Sequence, residues 1–532
     1  MIPLTVAQIA EITGGQLHAE PTAVVTGEVV IDSRRVGPGG LFAAVAGERA
    51  DGHDFAAAAV AAGAVAVLAT RPVPVPSVLV ADVPAALAAL ARFVVDSLRT
   101  VQIAGITGSS GKTTTKDLAA QLIERLGPTI APAGSFNNEF GHPLTVLRAD
   151  SSTRYLVLEL SARGPGHIAH LCGIAPPRYG VVLNVGHAHA GEFGGLDQVA
   201  RAKGELVEAL PGDGVAILNA DDPRVLAMAS RTAARIITFG AAPCQPQQPY
   251  PHLSHLASHV PQPTIQAADV RLDDLGRPGF TLLTPEGAAP VTLRLHGAHV
   301  VPDALAAAAL AGELGLGLAD IADGLSAAVA RSRWRMEIHR RGDGVTVIND
   351  AYNANPESVR AALQALGHLA QDGRAFAILG HMAELGDISR ASHEDVGEFA
   401  ARADLTGLIA VGSAAEPLLT GARRVRSWTG EALAVPDGAA AFGALANHLK
   451  PRDVVLVKAS RAAHLEGVAD MLLLDRGGCV TPGGDCSPPA GPIPPDQPRA
   501  FPRSGGEASA PRPPRPARPP RPPRRPQEEA DR

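Results

Sequence analysis

Aromatic side chains are scarce: 2 Trp, 4 Tyr and 12 Phe make up 3% of 532 residues. A surface that stacks successive bases needs more rings than that. The formal net charge of −6 offers no general basic field for a phosphate backbone. Nucleic acid is therefore not an expected partner. Cysteine is equally thin: Cys172, Cys244, Cys479 and Cys486 are scattered without C-x-x-C spacing, which argues against structural zinc and against a disulfide framework. No apolar run approaches the roughly 20 residues of a bilayer span. The opening residues, MIPLTVAQIAEITGG, lack the basic flank and small-residue cleavage site of a signal peptide. The expectation is a cytoplasmic protein with no membrane insertion. An N-K-x-D guanine motif is also missing, which disfavours a GTPase-type switch.

What remains is a chain that is 46% hydrophobic and 19% charged, long enough for three or four domains. Residues 1–98 read as a first unit, with a short amphipathic helix, strand-like pieces such as VVTGEVVIDSR, and a helix, glycine turn and buried strand in FAAAAVAAGAVAVLAT. From VQIAGITG to about residue 330, apolar strands (YLVLELS, YGVVLNVG, GVAILNA, RIITFG) alternate with helical patterns, the rhythm of a mainly parallel α/β sheet. Over 331–475 a third rhythm (GVTVIND, RAFAILG, LTGLIAVG, DVVLVKAS) predicts a doubly wound, Rossmann-like unit. Residues 241–263, rich in proline and glutamine, read as an irregular insertion. Residues 476–532, dense in proline and arginine, cannot bury a core and read as a disordered tail.

The chemistry starts at GITGSSGKTTTKD, residues 105–117. A strand runs into Thr107, Gly108, Ser109, Ser110 and Gly111, and a helix opens at Lys112, Thr113 and Thr114. Glycines let backbone amides turn inward, and the helix N-terminus adds a positive dipole end. Lys112 can reach the β- and γ-phosphates and the Thr113 hydroxyl can hold Mg²⁺. The full Walker spacing wants a glycine where Ile106 stands, so this is a shortened phosphate loop. Glu159 ends the next predicted strand, where a carboxylate commonly holds the metal or its water. Asn184, His187 and His189 follow a further strand and make a second metal site credible. Lys203, on a helix beyond, reads on its own as a solvated face.

The combination TGSSGKTTT, SFNNEFGHPLTVL, LELSARGPGHIAHLCGIAPPRYGVVLNVGHAH, AKGEL and LNADDPRV resembles the ATP-dependent Mur ligases of peptidoglycan synthesis, across residues 1 to about 475. That family uses the shortened loop. The resemblance implies a three-domain architecture: an N-terminal UDP-sugar domain, a central P-loop ATPase domain and a Rossmann-like C-terminal domain. It implies ATP and Mg²⁺ as cofactors, with Lys112 and Thr113 on the phosphates and first Mg²⁺, and Glu159 and His189 completing the metal sites. By the same resemblance Lys203 is a lysine that can be carbamylated to support the second Mg²⁺. Asn138 and Asn219 lie near the nucleotide, and Arg335 meets the γ-phosphate when the C-terminal domain closes. Asp350, Tyr352, Asn353 and Asn355, in VINDAYNANPESV, face the nucleotide and the incoming amine. Asp32, Ser33 and Arg34, in IDSRRVGPGG, take the UDP side. VINDAYNANPESVRAAL resembles the C-terminal domain of one member of that family, and this resemblance implies D-Ala-D-Ala as the amine and UDP-N-acetylmuramoyl-tripeptide as the acid, in an enzyme expected to be monomeric.

The chain departs from the family pattern at Ser161 and Ala459, where glycine is usual, at Val300 and Asp303, where asparagine is common, and at His381, where an acid is usual. Two rival readings follow. A sister ligase could add a different amino acid, although the D-N-P-R motif of the diaminopimelate-adding enzyme is absent. A catalytically weakened nucleotide-binding homologue would fit the substitutions. His252, His255 and His259 have helical spacing, but Pro249, Pro251 and Pro261 around them make a stable metal-binding helix a poor expectation.

Overall fold

The structure, a computed structural model, describes residues 1–47, 50–186, 194–241 and 263–474. His187, His189, the histidines of the insertion and the proline–arginine tail lie outside the described residues. Among the described residues there are four sheets: a two-stranded pair, Leu4–Thr5 with Val24–Val25, and three larger ones that organise the chain. The first of these three has strands Gln16–His18, Ser77–Leu79, Ala64–Ala69, Gly40–Ala43 and Val29–Val30 in that spatial order.

Among the described residues the central sheet has nine strands. Thr129–Ile130, Tyr155–Glu159, Gln102–Thr107, Tyr179–Val182, Val215–Asn219, Arg235–Ala241 and Ile265–Leu272 run parallel in spatial order, and two antiparallel strands, Pro278–Thr284 and Gly287–Thr292, close the edge. The parallel strands read as continuous apolar runs because helices cover both their faces. Gln102–Thr107 lies between two strands that follow it in sequence. It is thus the point where the winding reverses, and a crevice opens beyond the strand ends there.

The third sheet orders Glu337–Arg340, Thr346–Asn349, Val454–Lys458, Ala375–Leu379, Gly407–Val411 and Glu431–Val435, all parallel except the first. The last strand of the unit inserts beside the second, so Asp350 and Lys458 emerge together at one sheet end although 108 residues apart.

The first and second units share a continuous core. Leu87, Leu90 and Val94 of the helix Val83–Ser97 are buried in one cluster with Leu144, Leu156 and Leu171 of the central unit. His142, on the short helix Gly141–Val146, is also 1% exposed, and neither ring nitrogen has a hydrogen-bond partner. Burial depresses its pKa to about 3. The unfolded chain therefore binds a proton between about pH 6.5 and 3 that the folded chain refuses. Stability is fully present above pH 6.5 and is lost as pH falls toward 3. His142→Leu is expected to raise stability by about 2 kcal/mol at neutral pH by removing unsatisfied nitrogens, and to flatten the acid limb of a urea-denaturation series.

Candidate active site

The strand Gln102–Thr107 delivers the chain into the phosphate loop, and the helix Lys112–Ile123 leaves it. Thr107 is anchored by its hydroxyl, which donates to Leu160 O at 2.9 Å. Gly111 has φ +80°, and a Cβ there would collide with the Asp303 carboxyl; glycine is required on both counts. Ser109 N and Ser110 N each donate to Asn184 Oδ1 at 2.9 Å, and Ser109 Oγ accepts from Gly186 N at 2.8 Å. The loop is thus braced from the neighbouring strand end. Lys112 Nζ donates to Gly108 O at 2.7 Å. Burial pulls the lysine pKa down, opposed in part by the charge of Glu159.

Thr113 is the hub. Its hydroxyl lies 3.0 Å from Glu159 Oε2 and 2.8 Å from Ser135 Oγ, and accepts from Arg335 Nη2 at 3.1 Å. Glu159 is 1% exposed, and its other oxygen accepts from Asn137 Nδ2 at 2.6 Å. The structure thus brings Thr113 and Glu159 together. Among the described residues no group of three His, Cys, Asp or Glu side chains gathers. A threonine hydroxyl beside one carboxylate is the protein share of a Mg²⁺ site that phosphate oxygens and water complete, so Thr113 and Glu159 fit that ion.

Arg335 reaches into this cluster from the third unit. Nη2 also donates to Ser135 Oγ at 3.0 Å, Cζ lies 4.2 Å from the centre of the Tyr352 ring, and Nε is buried without a partner. An orphaned guanidinium N–H beside a phosphate loop is a donor held ready for an anionic ligand. Asp350 is buried on the same side, where its carboxylate accepts from Met336 N at 3.2 Å and Lys458 Nζ at 2.6 Å. Lys203, on the helix Leu196–Glu208, is 5% exposed. Burial first, and the neighbouring Lys112 charge second, push its pKa well down.

Other expected site residues have structural work in view. Asn138 Oδ1 accepts from Phe140 N and Gly141 N, at the entry to a helix. Asn219 Nδ2 donates to Leu183 O across neighbouring strand ends. Asn355 caps the helix Pro356–Leu369 through Ser358 N. Asn353 is exposed, with its backbone oxygen accepting from Lys458 Nζ at 2.8 Å. Thr114 is half-buried on the loop helix. Asp32 caps the single turn Ser33–Arg35 and pairs with Arg34, which holds its carboxyl below the usual value. Among the described residues no hydrogen bond links that turn to the phosphate loop. Sequence reasoning passed over Asn137 and Ser135, although both stand in the quoted SFNNEFG stretch.

The departures resolve locally. Ser161 is not among the residues with positive φ, so no glycine-only backbone is forced on it. Ala459 packs against Gly380, where an added Cβ would lie 2.7 Å from its own, so the extra methyl of Ala459 sits in space that Gly380 leaves open. His381 stacks on His393, with ring centres 5.3 Å apart. Val300 is buried at the start of the helix Val300–Glu313.

Asp303, on that helix, is buried against Gly111, and burial pushes its pKa well above the carboxylate range. It contributes fully to stability only below its unfolded pKa, and that contribution is lost as pH rises. Asp303→Asn is expected to raise the thermal midpoint at pH 7–8 but not near pH 4. A thermal-shift series across this pH range checks the effect.

This arrangement, a phosphate loop with a threonine–carboxylate pair and an arginine brought by a second α/β unit, is that of a nucleotide-dependent ligase. Family models agree: the Mur ligase family catalytic domain matches residues 27–104, the Mur ligase middle domain 106–311, and the Mur ligase glutamate ligase domain 334–461. The chain belongs to the Mur ligase family. More particularly, it is 47% identical to the UDP-N-acetylmuramoyl-tripeptide–D-alanyl-D-alanine ligase of Mycobacterium leprae (strain TN) over 529 residues, covering 91% of this chain and 100% of the relative. It is similar to the crystal structure of MurF from Acinetobacter baumannii, with TM-score 0.76 and 32% identity over 88% of this chain and 98% of that one. It is also similar to MurF ligase from Thermotoga maritima solved in complex with ADP, with TM-score 0.69 and 30% identity over 84% and 97% of the two chains.

Proposed function

We propose that this chain joins D-Ala-D-Ala to the terminal carboxylate of UDP-N-acetylmuramoyl-tripeptide, converting ATP to ADP and phosphate and completing the pentapeptide precursor of peptidoglycan. One observation carries the reading: Arg335 of the C-terminal unit rests on Thr113 of the phosphate loop, so the unit expected to bring the amine meets the nucleotide site. The names of the relatives, at 47% identity, agree with it. We take 1–98, 99–330 and 331–475 as the UDP-sugar, ATP and amine domains of a cytoplasmic monomer.

The chemistry follows from the residues. A carboxylate does not acylate an amine in water, so its oxygen first attacks the γ-phosphorus, and the bond from phosphorus to ADP breaks. The amine nitrogen then attacks the acyl carbon and loses a proton, and phosphate leaves with the former carboxylate oxygen. Lys112 and the orphaned Arg335 N–H neutralise charge on the transferred group, which is worth several kcal/mol in such sites. Asn184 keeps the loop amides in place for this. Thr113 and Glu159 would hold Mg²⁺, with His189 and Lys203, once carbamylated, at a second position, and the bound ion would supply Lewis-acid charge neutralisation. Tyr352, Asp350, Asn353 and Asn355 form the wall on the amine side, and Asp32, Ser33 and Arg34 hold the UDP end. Closure of the third unit keeps water from the acyl phosphate.

The test is phosphate release with UDP-linked tripeptide, ATP and Mg²⁺, against a panel of amines. Release that requires D-Ala-D-Ala, with the UDP-pentapeptide seen by mass, supports the reading. Turnover with another amine instead would assign a sister ligase, and no turnover with ATP still bound would assign a silent homologue.

A further inference from the structure

The link between the central and C-terminal units is fastened to the phosphate-loop helix along one face. Gln121 exchanges two hydrogen bonds with the Val329 backbone, at 2.9 and 3.1 Å. Arg331 forms a two-pronged pair with Glu124, at 2.5 and 2.6 Å. Asp117 Oδ2 accepts from Ser332 N at 3.0 Å. Positions 117, 121 and 124 share a helix face by spacing, so residues 329–332 lie along it as a strip. The outer two fastenings are exposed; the innermost is not. Lys116 and Asp117 are both buried and paired, and Lys116 Nζ also donates to Pro132 O at 2.8 Å and to Ser332 Oγ at 3.4 Å.

Two residues further on, the backbone belongs to the other unit. Trp334 O accepts from Tyr352 N at 3.2 Å, Met336 N donates to Asp350 Oδ1 at 3.2 Å, and the Arg461 guanidinium lies 4.3 Å from the centre of the Trp334 ring. Only exposed Arg333 separates the two sets of fastenings. Trp334 (φ +57°) and Met336 (φ +50°) are left-handed on either side of Arg335, a conformation that is unfavourable for a large side chain and persists only where surroundings impose it. Asp117 stands one helical turn after Thr113, the residue Arg335 must reach.

We propose that Asp117, oriented by Lys116, is a positioning residue: it fixes the start of the hinge at Ser332 so that the swing about Arg333 returns Arg335 to Thr113. The pair touches no reacting atom. It acts by setting where a distant arginine lands, and through Pro132 it holds the segment that carries Ser135, the other anchor of Arg335. This rests on the ligase reading above.

Asp117→Ala alone would leave Lys116 buried and unpaired and could unfold the chain. The test is therefore the double replacement Lys116→Met with Asp117→Leu, which keeps apolar volume without charge, alongside Asp117→Asn. For the double variant, kcat is expected to fall about 30- to 100-fold, with the Kd for ATP and the thermal midpoint near wild type. Asp117→Asn, which keeps an acceptor for Ser332 N, should retain more activity. Adding Arg335→Ala to the double variant should lower kcat no further than Arg335→Ala alone, since both act through one arginine. Wild-type kcat in the double variant, or losses that multiply with Arg335→Ala, would overturn the inference. An inactive wild-type enzyme would instead refute the ligase reading.

Discussion

Arg335→Ala is expected to lower kcat by roughly 10²- to 10³-fold while the Kd for ATP changes only a few fold. Donors aimed at charge that develops on a transferred group have effects of this size. Arg335 is well placed for it: one nitrogen holds Thr113 and Ser135, Nε is buried without a partner, and Cζ lies 4.2 Å from the centre of the Tyr352 ring. It arrives with the C-terminal unit, so most ATP-binding groups are in place before it. Arg335→Lys should recover little, because a point ammonium cannot both hold Thr113 and present a second N–H in the same plane. Stopped-flow measurement of acyl-phosphate formation separates this from a binding defect. A large rise in Kd with unchanged kcat would show a ground-state contact instead.

Lys203→Ala is expected to cost at least about a hundredfold in kcat. The side chain is almost fully enclosed, burial and the Lys112 charge both oppose its ammonium form, and no hydrogen bond or ion pair among the described residues compensates. A neutral amine in that position is a nucleophile for carbon dioxide. Forming the N–C bond with loss of a proton turns it into a carboxylate, which the Lys112 charge would favour. Activity of the wild type should then rise with bicarbonate after dialysis in its absence. Formate or acetate should restore part of the activity of Lys203→Ala by filling the vacated carboxylate position. Bicarbonate independence together with full activity of Lys203→Arg would leave a plain structural lysine.

The sequence made the phosphate site legible because that site is local. Strand, glycines, lysine, threonine and helix are contiguous over residues 102–123, and Glu159 ends the adjacent strand. Partnerships across the fold were harder to read. Nothing in N-N distinguishes Asn137, which holds Glu159, from Asn138, which turns back on its own helix. Only the late insertion of Val454–Lys458 beside Thr346–Asn349 brings Lys458 to Asp350. The clamp of Asp117 on Ser332 spans 215 residues and has no periodic signature. The packing of Ala459 against Gly380 likewise joins two strand ends that are 79 residues apart in the chain.

The most direct test of the account is the fate of a heavy-oxygen label placed in the terminal carboxylate of the UDP-linked tripeptide. The enzyme is supplied with ATP, Mg²⁺ and D-Ala-D-Ala, and products are weighed by mass spectrometry. Carboxylate attack on the γ-phosphorus predicts one labelled oxygen in each phosphate released, with UDP-pentapeptide formed in equal amount. Unlabelled phosphate would contradict it, because ATP would then be cleaved by water and the carboxylate never activated.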